Sequence, residues 1–214
     1  MWKTDETDDQ QMGLATWCEG ESTWSLDVRG GEHGIRVLDG DSDELLRLAA
    51  VGDETLPVIA EQFVRGNELH VWLPQSDGRY GVRIAWMPVM SGESCLVLEA
   101  TISIETDLLD SHPTLDVIAD CQSVSRAGDA GVSVARRESN STSVLLGNHD
   151  SPFTSDQSTD QQVSLRLFGD FLEKGVIRVA RPWFVLTNSA QAPSEMELEN
   201  RLGQLNASPL PLAP

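Results

Sequence analysis

A ten-residue alternation of apolar and polar side chains at residues 96–105 constrains the fold more than any other feature of the sequence. The apolar positions are Leu96, Leu98, Ala100, Ile102 and Ile104, and the intervening polar positions are Glu99, Thr101, Ser103 and Glu105. Successive side chains of a β-strand point to opposite faces. This period of two therefore predicts an antiparallel strand with one buried and one solvated face.

Turn residues separate this stretch from further predicted strands. Gly66-Asn67 tolerates positive φ at both positions and is predicted to close a tight hairpin between residues 55–64 and 68–73. A second turn at 76–78 precedes another alternating strand over residues 80–86. Shorter strands are predicted at 115–119, 132–136 and 143–146, whereas residues 43–51 fit a short helix and a strand equally well.

The later part of the chain contains one long loop and two more predicted strands. The polar segment 148–162 is about 15 residues long and exceeds the common connection length, which indicates either mobility or function. Beyond it, the apolar segments 163–172 and 176–186 flank Glu173-Lys174-Gly175. That arrangement predicts a final hairpin.

Many short strands separated by Gly- and Asp-rich turns favour a mainly β fold, an antiparallel β-sandwich or barrel-like single domain with one C-terminal helix. The length of 214 residues suits one domain, predicted over residues 12–206. A disordered acidic tail is expected at 1–11 and a Pro-rich tail at 207–214. The helix is predicted at 194–205, because Ser194 and Glu197 form a capping box.

The predicted helix carries a stripe of leucines. Leu198, Leu202 and Leu205 fall on one face at helical spacing. Such a stripe needs an apolar surface to pack against, and a second subunit would supply one. One interpretation is therefore a homo-oligomer that forms through these three residues.

The strong negative charge argues against two classes of partner. The sequence has 34 Asp and Glu against 15 Lys and Arg, a formal net charge of −19. Such a surface repels phosphate backbones and anionic lipids, so we expect neither nucleic-acid nor membrane binding. The first residues lack the features of a secretory signal, and Cys18, Cys95 and Cys121 form no CxxC pair. Both observations favour a cytoplasmic protein with reduced thiols.

Two short segments resemble blocks of known enzyme families. Gly147-Asn148-His149-Asp150 resembles a metal-binding block of the calcineurin-like metallophosphatases, but the other ligands of a two-metal site do not occur in that family's order. Gly40-Asp41-Ser42 resembles the nucleophile block of the GDSL-type esterases, yet no His follows His149 to complete a triad. Both segments are predicted to be turns, and we expect no metal and no cofactor.

Six Trp residues against one Tyr are the remaining unusual feature. Trp72 shares a strand face with His70, away from the apolar positions, and Arg83 belongs to the next strand, whereas Trp86 follows the core register. An exposed indole can stack on a sugar ring while polar neighbours bind its hydroxyl groups. We therefore predict that Trp72, Arg83 and His70 bind a ligand.

The function predicted from the sequence is a non-catalytic binding or interaction module, for which a carbohydrate-like polar ligand is the most plausible class. One alternative is a sugar-modifying, epimerase-like enzyme on a similar sandwich, with a His and a carboxylate as acid and base. The other is a structural or assembly protein. The sequence assigns no catalytic residue.

Overall fold

The computed structural model describes residues 1–4, 12–40, 43–76, 80–126, 131–189 and 192–209. These residues form two large antiparallel sheets and one C-terminal α-helix, which confirms the predicted fold class. Sheet I contains, in spatial order, β1 (Trp2–Thr4), β2 (Leu14–Glu19), β3 (Ser22–Asp27), β5 (Ile35–Asp39), β6 (Asp43–Ala49), β12 (Thr114–Asp120), β17 (Gln162–Phe168) and β16 (Thr154–Asp156).

Sheet II has nine strands, and its longest members lie near the middle. It contains, in spatial order, β13 (Ser123–Arg126), β14 (Val132–Arg136), β15 (Ser141–Leu145), β19 (Trp183–Thr187), β11 (Cys95–Glu105), β10 (Gly81–Ser91), β9 (Glu68–Leu73) and β8 (Glu61–Arg65). The ninth strand, β18 (Ile177–Ala180), pairs with the end of β11 beyond β19. The short strands β4 (Gly30–Gly31) and β7 (Leu56–Val58) pair separately.

The main core contains apolar residues from both sheets. Its largest fully buried side chains include Trp24, Trp86 and Phe184, and the rings of Trp86 and Phe184 lie 6.0 Å apart. The apolar positions of β11 are buried as the alternation predicts. Its polar positions Glu99, Thr101 and Ser103 are also buried, so the expectation of a solvated face is wrong. Neighbouring strands place long side chains beside these shorter ones, with Arg83 opposite Ser103 and Trp183 opposite Glu99.

The hairpin predicted around Glu173-Lys174-Gly175 does not form. β17 pairs with β12 and β16 in sheet I, whereas β18 pairs with β11 in sheet II, so this segment connects the two sheets. β17 ends at Phe168 and Gly169, which both have positive φ (64° and 94°). The apolar segment 176–186 is also interrupted, at Arg181 and Pro182, and forms two strands instead of one.

The first residues of the chain form a strand, although the sequence predicted a disordered tail over residues 1–11. Trp2–Thr4 forms β1 at the edge of sheet I, and Trp2 lies opposite Trp17 with ring centroids 5.3 Å apart. Burying this indole offsets the entropy of ordering the segment. Residues 5–11 of the predicted tail lie outside the described residues. The ambiguous segment 43–51 contains strand β6.

The C-terminal helix α1 (Glu195–Ala207) begins at Ser194, and the predicted capping box with Glu197 is present. The helix packs on the outer side of sheet II, where Leu198 and Leu205 belong to a second core. The sheet residues of this core are Val97, Val132, Val134, Leu145, Trp183 and Val185. Two of the three leucines are buried within the chain itself. A homo-oligomer contact through them is not tested by these packing contacts and stays a prediction. Among the described residues, no helix has the length and apolar character needed to cross a bilayer.

Asp27, at the end of β3, makes the stability of the fold depend on pH. Its side chain is 4% exposed and accepts hydrogen bonds from the side chains of Arg29 and Arg36 at 2.5–2.8 Å. Burial alone would raise the pKa of Asp27, but these hydrogen bonds outweigh it and hold the pKa at about 2, below the usual 3.8. A depressed folded-state pKa stabilises the fold above the unfolded pKa, and this stabilisation is lost as the pH falls towards 2.

We therefore expect the destabilisation caused by Asp27→Asn to be about 1 kcal/mol smaller at pH 3 than at pH 7. Urea unfolding of both proteins at the two pH values measures this difference. A destabilisation that does not change with pH would contradict the role assigned to the Asp27 carboxylate.

Candidate functional site

The three residues predicted to bind a ligand lie together on the outer face of sheet II. Trp72 on β9 is directly opposite Arg83 on β10, which is in turn opposite Ser103 on β11. His70 occupies the neighbouring row, opposite Ala85 and Phe63. We call this region the β9–β11 surface and define it by Phe63, His70, Trp72, Arg83, Ala85, Thr101, Ser103 and Glu105.

Arg83 connects the indole of Trp72 to a carboxylate. Its guanidinium carbon lies 5.1 Å from the centroid of the Trp72 ring, and its Nη2 lies 3.4 Å from Oε1 of Glu105. A cation over an indole contributes about 0.5–1 kcal/mol at an exposed site. Arg83 therefore covers one part of the indole and holds it in place, while Trp72 remains partly exposed.

His70 is fixed by two neighbours on the same surface. Its ring stacks on Phe63 with centroids 4.9 Å apart and an interplanar angle of 8°. Its Nε2 lies 2.9 Å from Oε2 of Glu68. The His70 ring is thus oriented by an aromatic contact and a hydrogen bond, at the side of Trp72 away from Glu105.

Three polar atoms of one cross-strand row lack hydrogen bonds. Nε1 of Trp72, Nε of Arg83 and Oγ of Ser103 are buried and have no partner among the described residues. Buried polar groups are nearly always hydrogen-bonded, because an unpaired one costs about 1–3 kcal/mol. A cavity of about 150 Å³ adjoins this row and is lined by Arg83, Ser103, Glu105 and Ile177. The row therefore combines unused hydrogen-bonding capacity with space for a polar group.

A larger cavity of about 360 Å³ lies between the edges of the two sheets. We call it the β16–β18 cavity. Its lining residues are His149, Asp150, Phe153, Thr154, Leu167, Phe168, Arg178, Val179, Ala180 and Arg181. The predicted long loop 148–162 supplies one wall, because it forms a 3₁₀ turn (Ser151–Phe153) and then β16, which pairs with β17.

The fragment Gly147-Asn148-His149-Asp150 forms a turn in this wall, as predicted, with the Asp150 amide 3.0 Å from the Gly147 carbonyl oxygen. Asp41 and Ser42 of the other fragment lie outside the described residues. Within the described part of the chain, no three His, Cys, Asp or Glu side chains are grouped closely enough to hold a metal ion.

Arg181 and Asp150 meet at the inner end of the β16–β18 cavity. The Asp150 carboxylate accepts a hydrogen bond from the backbone N–H of Arg181 at 3.0 Å, and burial raises its pKa. The Arg181 guanidinium donates to the carbonyl oxygens of Leu205, Ser208 and Pro209 at 2.6–3.3 Å. Its Nε lies 4.0 Å from Oε2 of Glu99. Arg181 therefore joins the cavity to the C-terminal end of α1.

Sequence reasoning missed Arg181 and the cavity. The available signal was Arg181, one of two arginines in the otherwise apolar segment 176–186 and the one directly followed by Pro182. A charge in such a segment is rarely buried unless it is paired, so its position alone marked a specific contact.

Comparison with known proteins supports the fold. No protein-family model and no curated protein matches the sequence. The solved structures similar to it include the heparan sulfate lyase HepC from Pedobacter heparinus, with a TM-score of 0.52, 10% identity and coverage of 85% of this chain. A HepC mutant from the same organism matches with a TM-score of 0.52 and 9% identity. The chain spans 36% of the length of these lyases. A putative kojibiose phosphorylase from the human microbiome matches over 98% of this chain and 29% of the length of the phosphorylase. Its identity is 11% and its TM-score is 0.47, which is too low to support an argument. At such identities the likeness concerns the fold alone.

Proposed function

We propose that this protein is a non-catalytic binding module whose β9–β11 surface holds a neutral carbohydrate-like ligand. The observation that carries the proposal is the row of unpaired polar atoms on Trp72, Arg83 and Ser103 beside a partly exposed indole. The likeness in fold to heparan sulfate lyases is an analogy only, and the proposal rests on the site itself.

The chemistry of the surface matches the two sides of a sugar. The C–H face of a pyranose ring is apolar and stacks on an indole, for which Trp72 is the available ring. Its hydroxyl groups both donate and accept hydrogen bonds. Ser103 Oγ can do the same, Glu105 accepts and Arg83 donates. A ligand hydroxyl in the 150 Å³ cavity would therefore reach three different polar groups.

Charge favours a neutral ligand over a sulfated one. The chain carries a net charge of −19, which repels a polyanion. Arg83, the cation of the surface, is already paired with Glu105, and Glu68 lies against His70. Among the described residues, the β9–β11 surface thus has no cluster of unpaired cations of the kind that recognition of sulfate groups requires.

Trp72→Ala is expected to weaken sugar binding by about tenfold or more, because it removes the only indole on this surface. Neutral mono- and disaccharides, with heparan sulfate as the anionic comparison, would be screened by NMR chemical-shift perturbation, and affinities would follow from titration. Phe153→Ala is the matched control, since it removes an exposed ring (59%) in the other cavity.

Three results would count against this proposal. The first is the absence of shifts at the β9–β11 surface with every neutral sugar. The second is an unchanged affinity in Trp72→Ala, and the third is tighter binding of heparan sulfate than of any neutral sugar.

The contact between His70 and Glu68 favours a second candidate, a sugar-modifying enzyme. A His with its Nε2 2.9 Å from a carboxylate can exchange a proton with a bound sugar. Incubation with the bound sugar separates the two functions, because an epimerase produces new sugar signals in the NMR spectrum and a binding module does not. If signals appear, His70→Gln should abolish them while leaving binding within a few-fold.

A further inference from the structure

The β16–β18 cavity is a second site with a different chemistry. Its volume of about 360 Å³ lies in the range of small-molecule pockets. Its apolar lining residues are Phe153, Leu167, Phe168, Val179 and Ala180. Two of these are aromatic rings, which offer flat surfaces to a planar molecule. The cavity is therefore suited to a compact apolar body.

One carboxylate oxygen in this cavity is available to a ligand. Asp150 is only 9% exposed, and its Oδ2 accepts the N–H of Arg181 at 3.0 Å. Its Oδ1 accepts no hydrogen bond from the described residues and is not among the fully buried unpaired atoms, so it faces accessible space. The free oxygen can accept one hydrogen bond from an N–H or O–H group.

The charges around the cavity disfavour charged ligands of either sign. The Asp150 carboxylate in the lining repels an anion. Arg178 and Arg181 line the same space, and their positive charges oppose a cation. Both are already engaged, Arg178 with Asp170 and Arg181 with the carbonyl oxygens at the end of α1, so neither is free to bind an anion. A neutral molecule meets neither penalty.

The backbone at Phe168 is held in a costly conformation at the cavity wall. Phe168 has φ 64°, the one positive φ of a non-glycine residue among the described residues. A left-handed conformation costs a bulky residue about 1–3 kcal/mol and is often found at binding sites. The conformation places an aromatic residue at the point where β17 ends and the cavity begins.

From these features we propose that the β16–β18 cavity binds a small, neutral, planar aromatic compound that donates one hydrogen bond to Asp150, as an indole or a phenol does. The aromatic body packs between apolar side chains, including Phe153 and Phe168. Its N–H or O–H group points to Oδ1 of Asp150. The site is independent of the β9–β11 surface, from which it differs in residues and in ligand chemistry.

Four related probes test the proposal on the full chain: indole, 1-methylindole, tryptamine and indole-3-acetate. Titrations are followed by NMR of backbone amides. Indole is expected to shift the amides of residues 149–154 and 178–181. 1-Methylindole, which lacks the donor, should bind about tenfold more weakly, because it cannot donate a hydrogen bond to Asp150 Oδ1. The cationic and anionic analogues should also bind more weakly than indole.

Two variants test the same site from the protein side. Phe153→Ala should weaken indole binding by about fivefold, and Phe63→Ala, which removes an exposed ring from the other surface, should leave it unchanged. In Asp150→Asn the amide oxygen can keep the hydrogen bond to Arg181 and its NH₂ group then faces the ligand. The preference for indole over 1-methylindole should disappear.

The proposal is overturned if millimolar indole shifts no amide in these segments or if 1-methylindole binds as tightly as indole. Tighter binding of either charged analogue would also overturn it. These comparisons use the wild-type chain and do not depend on the folding of any variant. Loss of sugar binding in Trp72→Ala with normal indole binding separates failure of one site from failure of the other.

Discussion

Replacing Arg181 with alanine is expected to lower the free energy of unfolding by about 3–5 kcal/mol, because it removes one partner of a buried charged network. Arg181 is 5% exposed and donates to three carbonyl oxygens at the C-terminal end of α1. Its loss removes the guanidinium donor from all three carbonyls, of which Leu205 keeps its hydrogen bonds from Ser208, and leaves the buried Glu99 without its nearby cation. Urea denaturation followed by circular dichroism measures the change.

The same substitution should loosen α1 in particular. Hydrogen exchange of the α1 amides is expected to accelerate more than that of β10 and β11. Arg181→Lys should recover little stability, because one ammonium group cannot serve three carbonyls that a planar guanidinium reaches. Arg126→Ala is a suitable control, since its exposed ion pair with Asp156 contributes at most about 1 kcal/mol. Equal losses in Arg126→Ala and Arg181→Ala would contradict the assigned role.

Trp86→Ala is expected to lower the free energy of unfolding by about 3–5 kcal/mol, since it leaves a cavity in the main core. Trp86 is fully buried and its ring lies 6.0 Å from that of Phe184. Its Nε1 has no hydrogen-bond partner among the described residues. Trp86→Phe keeps an aromatic side chain and removes this unpaired donor, so its cost should be much smaller, about 1–2 kcal/mol.

Urea unfolding of both Trp86 variants gives the comparison, with an unchanged denaturant slope as the check that unfolding remains two-state. The prediction is wrong if the alanine and phenylalanine variants lose equal stability. That result would mean that the surrounding side chains close the space left by the indole.

The strands could be predicted from the sequence because alternation records the burial of the two sides of each strand. The hairpin at Gly66-Asn67 forms as predicted, and β14 has the predicted bounds. Alternation does not show which strands pair with each other in the sheet. Residues 163–172 and 176–186 therefore predicted a hairpin, although the positive φ at Phe168 and Gly169 directs the chain from sheet I to sheet II.

The two candidate sites also differ in whether local sequence could predict them. Trp72, His70 and Arg83 could be grouped from the sequence because they belong to consecutive strands, and the pairing of these strands fixes their register. The turn predicted at 76–78 falls mostly outside the described residues. The β16–β18 cavity joins a loop near residue 150, the end of β17 and β18. No local pattern brings these segments together, since their proximity depends on the packing of the two sheets. The buried polar side of β11 was missed because its cover comes from distant side chains.

Helix α1 makes one end of the sandwich three layers thick. Under it, all residues of β14, β15 and β19 except the exposed Arg136 are buried, so these strands are covered on both sides. The helix therefore covers a hydrophobic part of sheet II that would otherwise be exposed to solvent. If α1 detached, a hydrophobic patch would be exposed on the outside of sheet II. It would contain Val97, Val132, Val134 and Trp183. Retention of the helix thus governs how well the chain resists self-association at high concentration.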